Sequence, residues 1–440
     1  MKRFLFLALI LGLFSQTAFS QEFNKAKLDK FFDVLEENNK FMGSVALSKN
    51  GEILYSRVVG FADVENQIKA GVDSKFRIGS ISKTFTSVLV MKAVEERRID
   101  LEQTIDKYFL TIKNSNKIKI GHLLYHRSGI HNFTNDKDYL TWNTVAKTEK
   151  EMVEIIANAG SDFDPDTKAE YSNSNYVLLT FILEKVFKKS YSEILTKYIT
   201  KPLGLKSTYL GAKINSSNNE CHSYRFTGKW EKMPETDISI PLGAGGIISS
   251  PCDLVIFSDA LFGGKVLKPE SLEKMKTVIG SFGIGMVKIP FFNIIGYGHT
   301  GGIDGFSSVF SHFNDGNISY AMTSNGTNFN NNLVSLAVLS AIYNKPYEIP
   351  EFKNINLTSE ELDRYTGVYS SSQIPLKITI TRTNLSLMAQ ATGQPAFPLE
   401  ASGDDVFKFE QAGLVLEFNP TENKMLLKQG GGQFLFIKEN

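Results

Sequence analysis

A serine and a lysine three residues apart, Ser80 and Lys83, stand at the head of an apolar run in FRIGSISKTFTSVLVMKAVEE. On a helix that spacing puts both side chains on one face, near enough for the lysine nitrogen to reach the serine hydroxyl and help remove its proton. The amino end of the helix adds unpaired backbone N–H groups and the positive end of its dipole, which suits a developing oxyanion. Such a serine can attack a carbonyl carbon without a histidine base. Roughly two or three S-x-x-K matches are expected by chance in a chain of this composition, and Ser271 with Lys274 is a second one. That pair lies in LKPESLEKMKTVIG, where charged and polar residues alternate as on a solvated helix, and is set aside. Around Ser80 the residues Phe85, Val88, Leu89, Val90, Met91, Ala93 and Val94 make a helix apolar nearly all round, as in the core of a large domain. A plain core helix beginning at a capping serine would look the same locally, so residues elsewhere in the chain must decide.

Two segments do so. EYSNSNYVLLTFILEKVF carries Tyr171, Ser172 and Asn173 just before an apolar helical run, and GYGHTGGIDGFSSVF carries His299, Thr300, Gly301 and Gly302. In this order S-x-x-K, Y-x-N and a K/H-T-G triplet resemble the serine β-lactamase and penicillin-binding protein family. The similar branch is the one containing class C β-lactamases, DD-carboxypeptidases and related esterases. The resemblance spans roughly residues 24 to 343 and takes in KIGHLLYHRSGI and PLGAGGIISSPCDLVIFSDAL, which look like the family's LLxHTSG and AGGLxST-x-DLxxF segments.

The chemistry of each residue suggests its role. Ser80 is the expected nucleophile, forming an acyl-enzyme that splits one difficult step into two easier ones. Lys83 and Tyr171 are expected to share the proton work: a phenol ordinarily titrates too high to be a base at neutral pH, and a neighbouring lysine cation would favour its phenolate. Which of the two holds the proton stays open at this level. The backbone N–H groups of Ser80 and Gly302 are the expected oxyanion hole, with Gly301 and Gly302 letting substrate lie close to the strand. Asn173 is expected to hold a substrate carbonyl through its NH2, and Thr300 to offer a hydroxyl to a substrate carbonyl or carboxylate. His299 departs from the lysine of many β-lactamases. A largely neutral histidine resembles the family's DD-carboxypeptidases and several esterases more than efficient β-lactam hydrolases. His122, His126, His131, His222 and His312 have no motif support and read as structural or exposed.

The elements that must position these residues divide the chain. It opens MKRFLFLALILGLFSQTAFSQEF, a basic start, an apolar core and small residues, which reads as an export signal over residues 1–20 and a mature protein in the periplasm or the medium. That core is too short for a lasting membrane span. Residues 21–345 should form the hydrolase domain. GSVALSKNGEILYSRVVGFAD reads as a hairpin around Asn50 and Gly51, MVKIPFF, FSSVFSHF and ISYAMTSN as later strands, and TEKEMVEIIANAG, NYVLLTFILEKVFKKS and YSEILTKYIT as helices. The resulting class is an α/β, β-lactamase-like sandwich with an antiparallel sheet and a helical subdomain inserted over roughly residues 100 to 240. The resemblance implies a site in the cleft where the helix of Ser80 meets the strand of His299–Gly302. A Pro-containing linker over 346–358 leads to LKITIT, NLSLMA, DVFKFE, LVLEF, KMLLKQ and QFLFI, period-two runs that read as a small all-β barrel over 359–440. This tail resembles the lipocalin-like module appended to many members of the family.

With 48 Lys and Arg against 47 Asp and Glu, dispersed along the chain, nothing points to nucleic acid or an anionic membrane as partner. No metal or other cofactor is expected, since neither the six histidines nor the cysteines show ligand spacing. Cys221 and Cys252 could pair in an oxidising compartment or stand as two thiols. The expected function is a secreted serine hydrolase acting on peptide, amide or ester bonds, with D-amino-acid-containing peptides the leading substrates. A true β-lactamase or carboxylesterase is the alternative within enzymes, and a noncatalytic sensor of β-lactams or muropeptides the alternative outside them. Oligomeric state is not readable.

Overall fold

In the strand β1 (Phe41–Lys49), Val45 and Leu47 turn to one face of a sheet and Ala46 to the other, and all three are buried. The period-two geometry of a strand therefore gives it two dry faces, which explains an almost continuously apolar sequence. The computed structural model describes residues 23–352, 355 and 357–439. The export signal expected over 1–20 lies outside the described residues, as do Lys353, Asn354 and Asn356 of the expected linker.

β1 turns into β2 (Glu52–Val59) through Asn50 and Gly51, both at positive φ (55° and 83°), the conformation that tight hairpins favour. These strands join β3 (Val287–Phe291), β4 (Ile294–Ile303), β5 (Phe306–Phe313) and β6 (Ile318–Thr327) in one antiparallel sheet of order β3-β4-β5-β6-β1-β2. One face packs on α1 (Lys25–Glu37) and a late helix, Asn331–Ile342, through Phe31, Phe32, Leu35, Val334 and Val338. The other face packs through Ala46, Phe310 and Ala321 on a larger core. That core holds α2 (Ser82–Glu95), α3 (Asn173–Phe187) and α4 (Pro251–Phe262). Phe85 of α2 stacks on Phe257 of α4 with ring centroids 3.9 Å apart, and α2 is buried on every side, as its all-round apolarity requires.

The helical insertion is shorter than expected. Helices occupy Glu149–Ala159, α3 and Tyr191–Leu195, the last running on through a π turn, Thr196–Thr200. Beyond Gly204, however, the chain forms short strands at Tyr209–Leu210, Tyr224–Phe226 and Trp230–Lys232. Those strands are two or three residues long, too short to show a period. Cys221 is buried and Cys252 half-buried, and both are free thiols.

Eight antiparallel strands close a C-terminal barrel from Gly367–Ser370 to Gly432–Lys438, closure coming from the pairs Tyr369 with Lys438 and Ser370 with Ile437. Six follow the alternating runs. The other two, Gly367–Ser370 and Phe397–Gly403, escape sequence reading because one is four residues long and the other carries Pro398. Tyr365, Phe407, Phe418 and Phe436 fill the interior. Lys40, buried beside β1, pairs with Glu400 of the barrel, and Gln411 donates to Thr327 O at 2.5 Å. No helix among the described residues is long and apolar enough to cross a membrane.

Candidate active site

Ser80 lies in a 3-10 turn, Gly79–Ile81, that runs straight into α2, so the candidate nucleophile sits just before the helix and Lys83 in its first turn. In a 3-10 turn side chains at i and i+3 eclipse, which brings Lys83 Nζ to 3.0 Å from Ser80 Oγ. Tyr171, in the extended segment ahead of α3, donates its hydroxyl to the same oxygen at 2.7 Å. Lys83 Nζ also lies 2.7 Å from Asn173 Oδ1 and 2.6 Å from Ala244 O.

Lys83 is fully buried, and burial holds its amine well below the usual lysine range. Two of its three neighbours, Asn173 Oδ1 and the Ala244 carbonyl, can only accept, so a neutral amine spends both N–H groups on them. Its lone pair then faces the Ser80 hydroxyl, whose oxygen already accepts from Tyr171. With the amine neutral, the Ser80 proton would point at Lys83. This reverses the expectation of a lysine cation favouring a Tyr171 phenolate: burial pushes that phenol above its ordinary value, only partly offset by its bond to Ser80. The Lys83 nitrogen lies 4.8 Å from the centre of the tyrosine ring and is not bonded to its oxygen.

Gly79, at φ 49°, lies against Gly302 so closely that a Cβ there would come within 2.7 Å of the Gly302 nitrogen. Ser80 and Gly302 thereby flank one junction. A cavity of about 640 Å³ extends from it past Phe133, Thr134, Asn173, Met233 and Ile303, and one of about 340 Å³ past Tyr171, Phe282, His299 and Thr300; Ser80 and Gly302 are the two residues common to both linings. Gly301 lines the small cavity as well. A Cβ on it would fall 2.0 Å from Ile78 O, so its glycine serves the packing of the strand on the nucleophile turn, whereas at Gly302 the space is open.

His299 is buried, and that burial holds it down to about 4; its Nδ1 lies 2.5 Å from Thr300 O. It is neutral at pH 7 and makes no bond to Ser80, while Thr300 is exposed at the small cavity. Asn173 is tied at both ends, its NH2 donating to Thr134 Oγ1 at 3.0 Å, which leaves one N–H for the large cavity. The set-aside Ser271 and Lys274 lie on the short helix Pro269–Lys276.

Sequence reasoning passed over several neighbours. His126, at φ 56° and buried, accepts from Ser172 N at 3.1 Å and packs its ring 4.5 Å from that of Tyr171. Its place in LLYHRSG was the available signal. Asn132 accepts from Asn173 N at 2.9 Å, and Phe282 closes the small cavity. Arg77, next but two before Ser80, is buried and ion-paired to Asp304 and Glu235. Nothing in their local sequence marks Asn132, Phe282 or Arg77.

The beta-lactamase family model matches residues 28–344. The chain belongs to the beta-lactamase family. This family member is a serine hydrolase, similar to penicillin-binding protein 4* of Bacillus subtilis at 24% identity over 91% of this chain and 95% of that one. It is 30% identical to the teichoic acid D-alanine hydrolase of Staphylococcus aureus over 52% of this chain, which spans only 55% of that relative. Among solved structures, the D-amino acid amidase of Ochrobactrum anthropi SV3 superposes with a TM-score of 0.63 at 25% identity, covering 72% of this chain and 98% of the amidase. The octameric penicillin-binding protein homologue of Pyrococcus abyssi matches with a TM-score of 0.65 at 22% identity over 94% of this chain and all of that one, and so shares the two-part fold.

Proposed function

We propose that this hydrolase cleaves acyl bonds of D-amino acids, as peptide, amide or ester, through an acyl-enzyme on Ser80. The carrying observation is Ser80 Oγ held between Lys83 Nζ and Tyr171 OH at the meeting point of two cavities. As Oγ attacks, its proton passes to Lys83, and the carbonyl oxygen, now negative, takes the N–H groups of Ser80 and Gly302. The Tyr171 phenol gives its proton to the leaving nitrogen or oxygen and regains the one Lys83 took. Water then attacks the acyl group by the same proton route and frees Ser80.

The relatives named for D-alanine and D-amino acid chemistry support the stereochemical part of this reading. The electrostatics support a neutral leaving group. No lysine or arginine is among the described residues lining either cavity, and His299 is uncharged. A β-lactam or a free terminal carboxylate would find no fixed cation there. The test is to compare kcat/KM for D-alanyl and D-phenylalanyl amides and esters, their L counterparts, D-Ala-D-Ala peptides and nitrocefin. D over L by tenfold or more, lost in Ser80→Ala, is expected. Equal or greater turnover of the L series would overturn the assignment, and one acylation per molecule without turnover would make the protein a sensor.

A further inference from the structure

The junction proposed to hold the oxyanion is built largely from backbone: Gly79 meets Gly302 directly, and Gly301 packs on the carbonyl of Ile78, the residue before Gly79. Glycine backbone is permissive, so the spacing of the Ser80 and Gly302 N–H groups has to be set from outside. One buried ion pair brackets the junction. Arg77 precedes Ser80 by three residues and its side chain is 1% exposed; Asp304 follows Gly302 by two and is 3% exposed. Arg77 Nη1 donates to Asp304 Oδ2 at 3.0 Å and to Thr236 O at 2.8 Å, and Nη2 to Ala212 O at 3.0 Å and to Glu235 Oε2 at 3.3 Å. The other Asp304 oxygen accepts from the backbone N and the hydroxyl of Thr236, at 3.0 and 2.6 Å. Asp304 itself sits at φ 53° in the turn between β4 and β5, a conformation that ordinary side chains seldom adopt.

We propose that Arg77 and Asp304 are the positioning residues of the oxyanion hole, together fixing the Ser80 turn against Gly302. Stability is a poor explanation of the pair. Burying ions costs several kcal/mol each and a hydrophobic replacement is often as stable, and here the Arg77 Nε is left buried without a partner as well. What the pair uniquely supplies is geometry. The planar guanidinium presents its donors in a fixed fork, and the partners belong to the turn after Gly302, to the segment Glu235–Thr236 and to the Ala212 carbonyl. A second, weaker tie runs beside it, from Ser308 Oγ to Ile78 O at 2.8 Å.

The inference rests on Ser80 as the acylated nucleophile, and the experiment separates the two. A thiono ester places sulfur where the oxyanion would form, and sulfur takes hydrogen bonds poorly, so an intact hole strongly favours the oxo ester over its thiono twin. Asp304→Asn keeps shape and removes charge; Arg77→Lys keeps charge and removes the fork. In each, kcat for the oxo ester should fall about tenfold to a hundredfold, below the roughly hundredfold or greater loss of a whole donor. KM should stay within about threefold, and the oxo-to-thiono rate ratio should drop with kcat. A folded variant with a lowered Tm but an unchanged ratio would overturn the proposal, because that is what a purely structural pair predicts. If Arg77→Lys does not fold, Asp304→Asn decides. Failure of wild-type Ser80 to take a fluorophosphonate would instead overturn the nucleophile assignment.

Discussion

Two serines in this protein sit in dense hydrogen-bonded clusters, and only one is built for attack. Ser319 Oγ contacts His312 Nδ1 at 2.9 Å and donates to Asp259 Oδ1 at 2.6 Å, so it has the residue types of a familiar hydrolytic triad. Yet Ser319 is wholly buried, His312 is stacked flat on Phe262, and burial holds that histidine down to about 4. Here the serine bridges histidine and aspartate, where a triad would put the histidine in the middle. Ser80 has no histidine or carboxylate on its oxygen. It has a buried amine, a phenol, a backbone N–H junction and two cavities. Residue types in contact do not make a nucleophile; access, a base with a free lone pair and a place for the developing charge do.

The sharpest test of this contrast is to remove each serine. Ser80→Ala should lower kcat/KM by about a thousandfold or more and abolish fluorophosphonate labelling, whereas Ser319→Ala should leave the rate within about threefold. It should instead lose about 1–3 kcal/mol of stability as Asp259 and His312 lose a partner. Labelling that survives in Ser80→Ala and maps to Ser319 by mass spectrometry would invert the comparison.

Next in size are the partners of Ser80. Lys83→Ala and Tyr171→Phe should each cost about a hundredfold to ten-thousandfold in kcat, and the double variant should be little worse than the poorer single because the residues act as a unit. A Tyr171→Phe protein with near wild-type kcat would leave the phenol a packing role only.

The pH profile distinguishes an amine base from an imidazole base. Lys83 must be neutral to accept, so kcat/KM should fall as pH drops through its depressed pKa. His299 is already neutral above about pH 4, so His299→Gln should not shift that limb. A limb near pH 6.5 that vanishes in His299→Gln would assign the base to the histidine.

Smaller changes concern charge and the second domain. His299→Lys should raise nitrocefin turnover relative to ester turnover by about fivefold, the equivalent of ~1 kcal/mol for a screened ion pair. An unchanged ratio would show that this position does not set the preference. A protein ending near residue 350 should stay folded and acylate a small ester within about threefold of the full chain, since the residues lining both cavities lie upstream of the barrel. Loss of small-ester acylation in a folded truncation would give the barrel a part in the chemistry.

Much of this was legible along the chain. α2 and α3 follow their apolar runs, β1, β2, β3, β5 and β6 follow segments that read as strands, β4 follows the strand that the resemblance implies at His299–Gly302, and Ser80, Lys83, Tyr171 and Asn173 come together at hydrogen-bonding distance. The insertion after Gly204 and two barrel strands were not, because pieces of two to four residues, or one carrying a proline, have no period to read. His126 and Arg77 were passed over for a different reason: their partners, Tyr171 and Asp304, are far off in sequence.

By itself the sequence determined the neighbourhood of Ser80, the histidine in the H-T-G triplet and the all-β tail, because each depends on residues adjacent or periodic along the chain. Only the tertiary structure decided which way the amine and the phenol are shifted. Burial holds the Lys83 amine down, and burial pushes the Tyr171 phenol up against the smaller opposing effect of its bond to Ser80. It likewise decided that Gly301 packs against Ile78 while Gly302 faces open space, and that Arg77 meets Asp304, separated by 227 positions. Desolvation and close approach are properties of what surrounds a group in space, and the chain brings those surroundings from residues that no local pattern connects.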